Sequence, residues 1–210
     1  MPETNVKLVE KLVEEGIINT EKVKEAFLKI KREDFVPEKL EEYSYLDKPL
    51  SIGSGQTISA PHMVAMMTEY LKLEKNSKVM EIGTGSGYQA AIISHIIGEG
   101  KLHTIEKIEE LYKQSKEKLK PYKNIKVYKG DGSLGIPQAA PFDRIISTCG
   151  APEIPNSWGK QLKENGIIVA PVGGKRHQKL KRYEKRKGEL KEEDLNTPCA
   201  FVPMKGKNGF

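Results

Sequence analysis

The sequence predicts an α/β fold: a mostly parallel, doubly wound sheet with an antiparallel edge, preceded by helices. Three observations carry that expectation. Between residues 77 and 172 short apolar runs alternate with helical stretches, and a glycine-rich turn, Gly83 to Gly87, falls where the first run ends. After residue 175 the pattern changes to a charged segment with a hairpin-like centre. The 210 residues suit a single domain, on a prior of roughly 150 residues per domain. Its expected parts are an N-terminal helical and irregular segment (1–60), an α/β core (61–174) and C-terminal edge strands (175–210).

The first part reads as two helices. Val6, Val9, Leu12 and Val13 recur at helical spacing before Gly16, a C′ stop, and Thr20 is placed to cap a second helix carrying Val23, Ala26, Phe27 and Ile30 ahead of Pro37. From 44 to 61, SYLDKPLSIGSGQTISAP is rich in Gly, Ser, Thr and Pro, which predicts irregular or short-stranded backbone until a helix resumes over 61–71. KVMEIG, KLHTIE, IKVYKG, FDRIIS and GIIVAPV read as buried strands, with helices near 88–97, 108–119 and 155–163 between most of them. Such alternation makes the strands parallel, joined by helical crossovers. In the last part, KLKRYEKRKGELKEEDL turns at 187–189 and adds antiparallel strands at one edge.

Composition excludes several classes. The longest mostly apolar stretch, AAIISHII at 90–97, is far shorter than the roughly 20 residues a bilayer core requires. The first fifteen residues alternate charge with Val and Leu and offer no secretory signal, so a cytoplasmic protein is expected. Cys149 and Cys199 are then reduced thiols. The histidines, His62, His95, His103 and His177, lack metal-site spacing, so no metal is expected. No long amphipathic stripe is left uncovered, which favours a monomer.

The strongest chemical signal is EIGTGSG at 81–87, between the first parallel strand and a helix. Missing side chains at Gly83, Gly85 and Gly87 let the backbone turn sharply and approach a ligand, while the helix behind presents unpaired N–H groups. The spacing is G-x-G-x-G, and Tyr88 stands where a dinucleotide fingerprint places its last glycine. That argues against NAD or FAD and suits a nucleoside-bearing ligand without a pyrophosphate, such as S-adenosylmethionine; a plain tight turn is the alternative. Glu106 closes the second strand, where a carboxylate accepts from both hydroxyls of a ribose, unless it is an exposed acid beside Lys107. Asp131 and Gly132 follow the third strand. There an Asp accepts from an adenine amino group and a Gly lets the ring lie on the backbone, although Asp-Gly also makes an ordinary turn.

With these features in place, the chain resembles the protein-L-isoaspartate O-methyltransferase family. IGSGQTISAPHMVAMM (52–67) is similar to the family's signature and is far more specific than the glycine motif. EIGTGSGYQAA, GDGSLGIPQAAPFDRIIS, QLKENGIIVAPVGG and FVPM follow in the family's order, so the resemblance spans about 5–204. It implies a class I S-adenosylmethionine-dependent, Rossmann-like fold acting on L-isoaspartyl residues of damaged proteins and peptides. The methyl acceptor is the free α-carboxylate. Its ester activates the carbonyl, the following backbone nitrogen closes a succinimide, and reopening partly restores aspartate. The implied catalytic position is Ser59. The implied cofactor-contacting set is Gln56, Thr57, Ile58, His62, Glu81, Gly83, Thr84, Gly85, Gly87, Glu106, Lys107, Asp131 and Gly132. S-adenosylhomocysteine is the product. The loop STCGAP, with Cys149 and Gly150, departs from the alanine-rich loop of many members.

Such chemistry needs neither a strong base nor a metal, because a carboxylate is ionised at neutral pH and the sulfonium methyl is already activated. Positioning dominates, and aligned reactants contribute on the order of 7–11 kcal/mol. A neutral hydroxyl such as Ser59 orients the carboxylate without over-stabilising it; without the family match Ser59 reads equally as an N-cap before Pro61. Glu81 is placed to face the donor's methionine ammonium, or to pair with a surface lysine. Backbone from 52–59, 148–152 and 171–174 suits recognition of an extended peptide. The rivals are an RNA methyltransferase using the basic tract 175–187, whose other reading is a solvated edge hairpin guarded by lysines, and a silent binding module. Neither a nucleic acid nor a membrane is an expected partner.

Overall fold

The structure, a computed structural model, describes residues 4–210; the first three residues of the N-terminal part lie outside the described residues. Helices α1 (Asn5–Glu14) and α2 (Glu21–Lys29) are followed by two short 3-10 turns, Arg32–Phe35 and Glu38–Tyr43. The hairpin of β1 (Leu50–Gly53) and β2 (Gln56–Ile58) leads into α3 (Pro61–Leu71). The core then runs β3 (Lys78–Ile82), α4 (Tyr88–Ile97), β4 (Lys101–Glu106), α5 (Glu109–Lys118), β5 (Ile125–Lys129), β6 (Phe142–Ser147), α6 (Asn156–Gln161) and β7 (Leu162–Gly173). Strands β8 (Gln178–Arg186) and β9 (Glu189–Cys199) complete the sheet.

The sheet order is β5-β4-β3-β6-β7-β8-β9, with the first five strands parallel and the last two antiparallel. Strand order therefore reverses direction between β3 and β6, and at that switch point a crevice opens at the carboxyl ends. Both sheet faces are covered. Val79, Ile146 and Val169 pack under the helices α1 to α5, while Met80, Ile82, Ile145 and Ile168 pack with Trp158 of α6 on the other face. Period-two alternation along strands buried on both sides explains the near-continuous apolar runs of the sequence.

Local signals set most boundaries. Gly16 lies just past α1 at φ +68°, Pro61 opens α3, and Lys187 and Gly188 take φ +53° and +81° in the two-residue turn between β8 and β9. Thr20 differs from expectation. It occupies the N-cap position of α2, yet its hydroxyl bonds Glu69 of α3 at 3.0 Å instead of an N–H of its own helix, and Glu69 also accepts its backbone N–H at 2.8 Å. A tertiary tie between α2 and α3 replaces the local cap.

The last part needs two corrections. Strand structure ends at Cys199, and residues 200–210 leave the sheet as a strap over the carboxyl ends of the strands. The strap is held by Gly150 N–H to the Val202 carbonyl (2.9 Å), Met204 N–H to the Gly150 carbonyl (2.7 Å) and Lys207 N–H to Asp131 Oδ2 (2.8 Å). The outer edge is β9, so the tract's lysines and arginines belong to an inner strand and do not guard the edge. Glu189, Lys191, Glu192, Glu193 and Asp194 on β9 do so instead. Among the described residues no helix is long and apolar enough to cross a membrane. Both cysteines are free thiols.

Candidate active site

A cavity of about 290 Å³ opens at the switch point, close to the ~300 Å³ lower bound of common ligand sites. Its floor is built from Ile82 and Gly83 after β3, Ile105 and Glu106 at the end of β4, and Thr148 and Cys149 after β6. One wall is the segment with Gln56, Thr57, Ser59 and His62; the end of β9 supplies Pro198 and Cys199, and the strap Ala200 to Lys205.

The floor depends on absent side chains at two positions. Gly83 adopts φ +91°, and a Cβ there would lie 2.5 Å from Thr148 Oγ1, which donates to the Gly83 carbonyl at 2.5 Å. A Cβ on Gly132 would lie 2.5 Å from Ile82 Cγ2. The carbonyl of Gly132 is pinned by the Trp158 indole N–H at 2.9 Å. These two positions hold backbone open where a flat ligand group needs room.

Glu106 is 6 % exposed and its two oxygens grip backbone: Oε2 accepts the Gly85 N–H at 2.9 Å and Oε1 the Ile108 N–H at 2.8 Å. It is therefore not the exposed acid of the alternative reading. A carboxylate has about four acceptor sites, so capacity for further donors remains. Lys107 lines the cavity and lies 3.7 Å from Asp131.

Asp131 is placed differently from expectation. Its Oδ1 accepts from Ser133 N–H (3.0 Å) and Ser133 Oγ (2.7 Å), its Oδ2 from Lys207 N–H (2.8 Å), and it does not line the cavity, whereas Gly132 does. Burial opposes its ionisation, but Lys207, Ser133 and Lys107 outweigh burial and hold the carboxyl below the ordinary range. The group anchors the strap.

Glu81 also departs from both expectations. Alternation along β3 sends it to the face opposite Ile82, level with Thr104 on β4, where it is fully buried and does not line the cavity. Neither oxygen has a hydrogen-bond partner among the described residues, and it pairs with no surface lysine. Burial pushes its carboxyl up to about 8; the neighbouring Thr104 hydroxyl opposes the rise and Glu106 adds to it. Burial thus favours its neutral form, and it presents no carboxylate charge to the cavity.

The α3 end of the site is held by residues that sequence reasoning missed. Arg32 is fully buried and donates to three carbonyls: Ser44 (2.6 Å), Lys48 (3.1 Å) and Ser59 (3.0 Å). Desolvation lowers its affinity for the proton to a pKa of about 10, against the pull of Tyr88 and Asp47. Only a planar, multi-donor cation can satisfy three diverging carbonyls at once. The one available signal was scarcity, since the chain has five arginines against thirty lysines. Asp47 bonds both the ring and the backbone of His62.

Ser59 itself is half-buried and lines the cavity. The N-cap of α3 is Ala60, with no side-chain cap, so the capping alternative for Ser59 does not hold. Its hydroxyl makes no hydrogen bond to protein among the described residues, while its carbonyl is tied to Arg32. Gln56, Thr57, His62, Gly83, Gly85, Glu106, Lys107 and Gly132 thus share one cavity with Ser59. Ile58 and Thr84 line a smaller adjoining hollow, and the Thr84 hydroxyl is spent on Thr104 at 2.7 Å. Gly87 caps α4 at φ +90° outside the cavity lining. Of the backbone segments expected to meet a peptide, 52–59 and 148–152 contribute to the cavity, whereas 171–174 pairs with Ala151 instead.

Four of the eight cations of the basic tract are paired with carboxylates, and a fifth is held by carbonyls. Lys179 meets Asp194 (3.0 Å), Lys181 Glu192 (2.5 Å), Arg182 Glu193 (2.6 Å) and Arg186 Glu184 (3.1 Å), and Lys185 donates to the carbonyls of Gly159 and Leu162. Cations already bound across a hairpin are poor phosphate ligands, which disfavours the RNA reading.

A parallel sheet reversing at β3 and β6, with a glycine turn after β3 and an acid closing β4, defines a class I S-adenosylmethionine-dependent methyltransferase fold. Comparison with known proteins narrows the class. The model of the protein-L-isoaspartate(D-aspartate) O-methyltransferase family matches residues 3–209, and the chain belongs to that family. A protein-L-isoaspartate O-methyltransferase of Methanococcus maripaludis (strain C6) is 47 % identical over 208 residues, covering 98 % of this chain and 97 % of the relative. A Plasmodium falciparum structure described as such a methyltransferase, in complex with S-adenosyl-L-homocysteine, superposes with TM-score 0.86 at 26 % identity, covering 98 % of this chain and 99 % of that one. A second protein-L-isoaspartate O-methyltransferase structure gives TM-score 0.89 at 30 % identity, over 98 % of this chain and 67 % of that one.

Proposed function

We infer that this protein transfers a methyl group from S-adenosylmethionine to the free α-carboxylate of L-isoaspartyl residues in proteins and peptides, and so begins their repair through a succinimide. The observation that carries this reading is the placement of an unpartnered Ser59 hydroxyl in the same cavity as Gly83, Glu106 and Gly132. The residues suit the donor. The glycine cradle leaves room that a Cβ would fill, and Glu106 beside it keeps acceptor capacity for hydroxyl donors. When bound, S-adenosylmethionine supplies a methyl group already activated by a positively charged sulfur.

The chain's own residues then bind and orient. Glu106 offers its remaining lone pairs to ribose hydroxyls while its existing bonds keep the Gly85 turn in place. Gly132 gives a flat ring access to the backbone. Ile105, Leu111 and Phe201 line the cavity and exclude water, which would otherwise favour the separated charges of the reactants. Ser59 donates one neutral hydrogen bond to the acceptor carboxylate, enough to aim it without stabilising its charge against reaction. Gln56 and Thr57 close the same wall.

The deciding assay is radioactive methyl transfer. Base-labile label is expected in an isoaspartyl peptide and not in its normal aspartyl counterpart or in RNA; stable label in RNA overturns the reading. Ser59→Ala is expected to lower kcat while S-adenosylhomocysteine binds nearly as before, and an equal loss of both makes Ser59 structural.

A further inference from the structure

The 44–48 turn carries a device that the reaction as described does not use. Asp47 Oδ1 accepts two hydrogen bonds from one residue: the backbone N–H of His62 at 2.9 Å and its ring Nδ1 at 2.9 Å. The turn is itself clamped on both sides of Asp47, since Arg32 holds the carbonyls of Ser44 and Lys48 and, by the same guanidinium, that of Ser59. His62 lines the cavity beside Ser59, and its Nε2 has no hydrogen-bond partner among the described residues.

The two ring nitrogens are chemically linked. With Nδ1–H given to Asp47, a neutral imidazole has only a bare lone pair at Nε2, which repels a carboxylate. The imidazolium carries N–H at both positions and binds one. We propose that Asp47 is a positioning residue for the methyl transfer inferred above: gripping His62 by ring and backbone on one oxygen, it presents Nε2–H of the imidazolium to a ligand carboxylate in the cavity. Two carboxylates have that chemistry, the amino-acid end of the donor and the α-carboxylate of the acceptor.

The surroundings support the charged form. The Asp47 hydrogen bond raises the proton affinity of His62 above its ordinary value, against partial burial; Glu15 on α1 assists and Lys11 on the same helix opposes. Those two lie 3.6 Å apart and partly cancel. Burial works against ionisation of Asp47, but His62 and Lys11 outweigh it, and Arg32 faces it from below.

The proposal rests on the methyl-transfer reading for its reaction, but the His62–Asp47 pair is testable apart from it. An NMR titration of His62 is run on ligand-free wild type and Asp47→Asn, whose amide oxygen still accepts the backbone N–H but carries no charge. His62 is expected to titrate above 6.5 in wild type and to fall back toward 6.5 in the variant. Calorimetry with S-adenosylhomocysteine from pH 6 to 9 should show affinity lost as pH rises through that titration, with the loss moved to lower pH in Asp47→Asn. At a pH between the two titrations the variant should bind up to about tenfold more weakly, the size of one charge-assisted hydrogen bond. If instead the KM for an isoaspartyl peptide at saturating donor carries this dependence, the acceptor is the partner. His62→Gln, with a neutral donor, should abolish the pH dependence in whichever ligand shows it, and it serves equally should Asp47→Asn fail to fold. An unchanged His62 titration in Asp47→Asn, or pH-independent binding of both ligands, overturns the proposal. A wild-type protein that leaves isoaspartyl peptides unmethylated while His62 titrates as expected sinks only the functional reading.

Discussion

At the carboxyl ends of β3 and β5 the cavity is shaped by what the chain lacks, namely side chains at Gly83 and Gly132; along its walls it is shaped by charged side chains that hold backbone. The floor follows from sheet geometry, which the buried apolar layers on both faces maintain. The walls are loops that close over the floor, and loops have no ladder to satisfy their carbonyls and N–H groups. Arg32 performs that service on the N-terminal side, for three carbonyls, and Asp131 on the C-terminal side, for Ser133 and Lys207. One consequence is that a single substitution in a wall removes several bonds at once, whereas the floor spreads its stability over many residues.

The largest expected effect therefore belongs to Arg32. Arg32→Ala strands the carbonyls of Ser44, Lys48 and Ser59 and opens a void among buried groups, at about 3–5 kcal/mol in denaturant unfolding. Arg32→Lys, with one compact ammonium for three diverging acceptors, should keep the fold and lower kcat more than it weakens S-adenosylhomocysteine binding, because it is the Ser59 carbonyl that is released. A loss below about 1 kcal/mol in Arg32→Ala would show that the wall is held by packing and not by this guanidinium.

The same contrast marks where sequence reasoning succeeded. The spans 61–71 and 88–97 were legible to the residue, since Pro61 sets one start, the glycine turn sets the other, and the apolar pattern is continuous between local stops. The carboxyl ends of β3 to β6 and the glycine cradle were legible for the same reason, whereas β7 begins at Leu162, four residues ahead of GIIVAPV and within the span expected to be helical. What was not legible depends on partners far away in sequence: Thr20 with Glu69 across 49 residues, Arg32 with Ser59 across 27, Asp131 with Lys207 across 76. Their residue types announce a polar role but not its partner. Glu81 shows a different limit. Its position at a strand end was visible, but whether it faced the ligand or the layer of α3 and α4 turned on a register of one residue.

Glu81 offers a way to probe the floor by charge. Its folded pKa of about 8 lies above the ordinary 4.5, so the folded state keeps a proton that the unfolded chain releases. The corresponding stability is fully present below pH 4.5 and is lost as pH rises toward 8. Glu81→Gln removes that slope. Thermal unfolding of the ligand-free variant should match wild type at pH 4.5 and exceed it by on the order of 1–3 kcal/mol at pH 8. A pH-independent difference in stability would mean that Glu81 is ionised and compensated in the folded protein.

The smallest effect on stability, and the sharpest on the strap, is expected from Gly206→Ala. A Cβ there collides with Asp131 Oδ1, which accepts from Ser133, and comes within 2.8 Å of Ser133 Oγ, which accepts the Asn208 N–H, so it disturbs the carboxylate whose Oδ2 holds the Lys207 N–H. Because Met204, buried in the core, and Phe201, bonded to Gln178, anchor the strap ahead of Gly206, lifting only its end should cost less than about 1 kcal/mol of global stability. The cavity, however, takes Pro198 to Lys205 as a wall, so amide exchange over 201–210 should quicken and ligand dissociation should rise several-fold. Asp131→Asn gives the control: its Oδ1 still accepts from Ser133, while the bond to Lys207 is lost without any added atom. If Gly206→Ala speeds exchange in the strap and leaves S-adenosylhomocysteine dissociation unchanged, the wall is decoration on a site that the floor and the α3 side hold unaided.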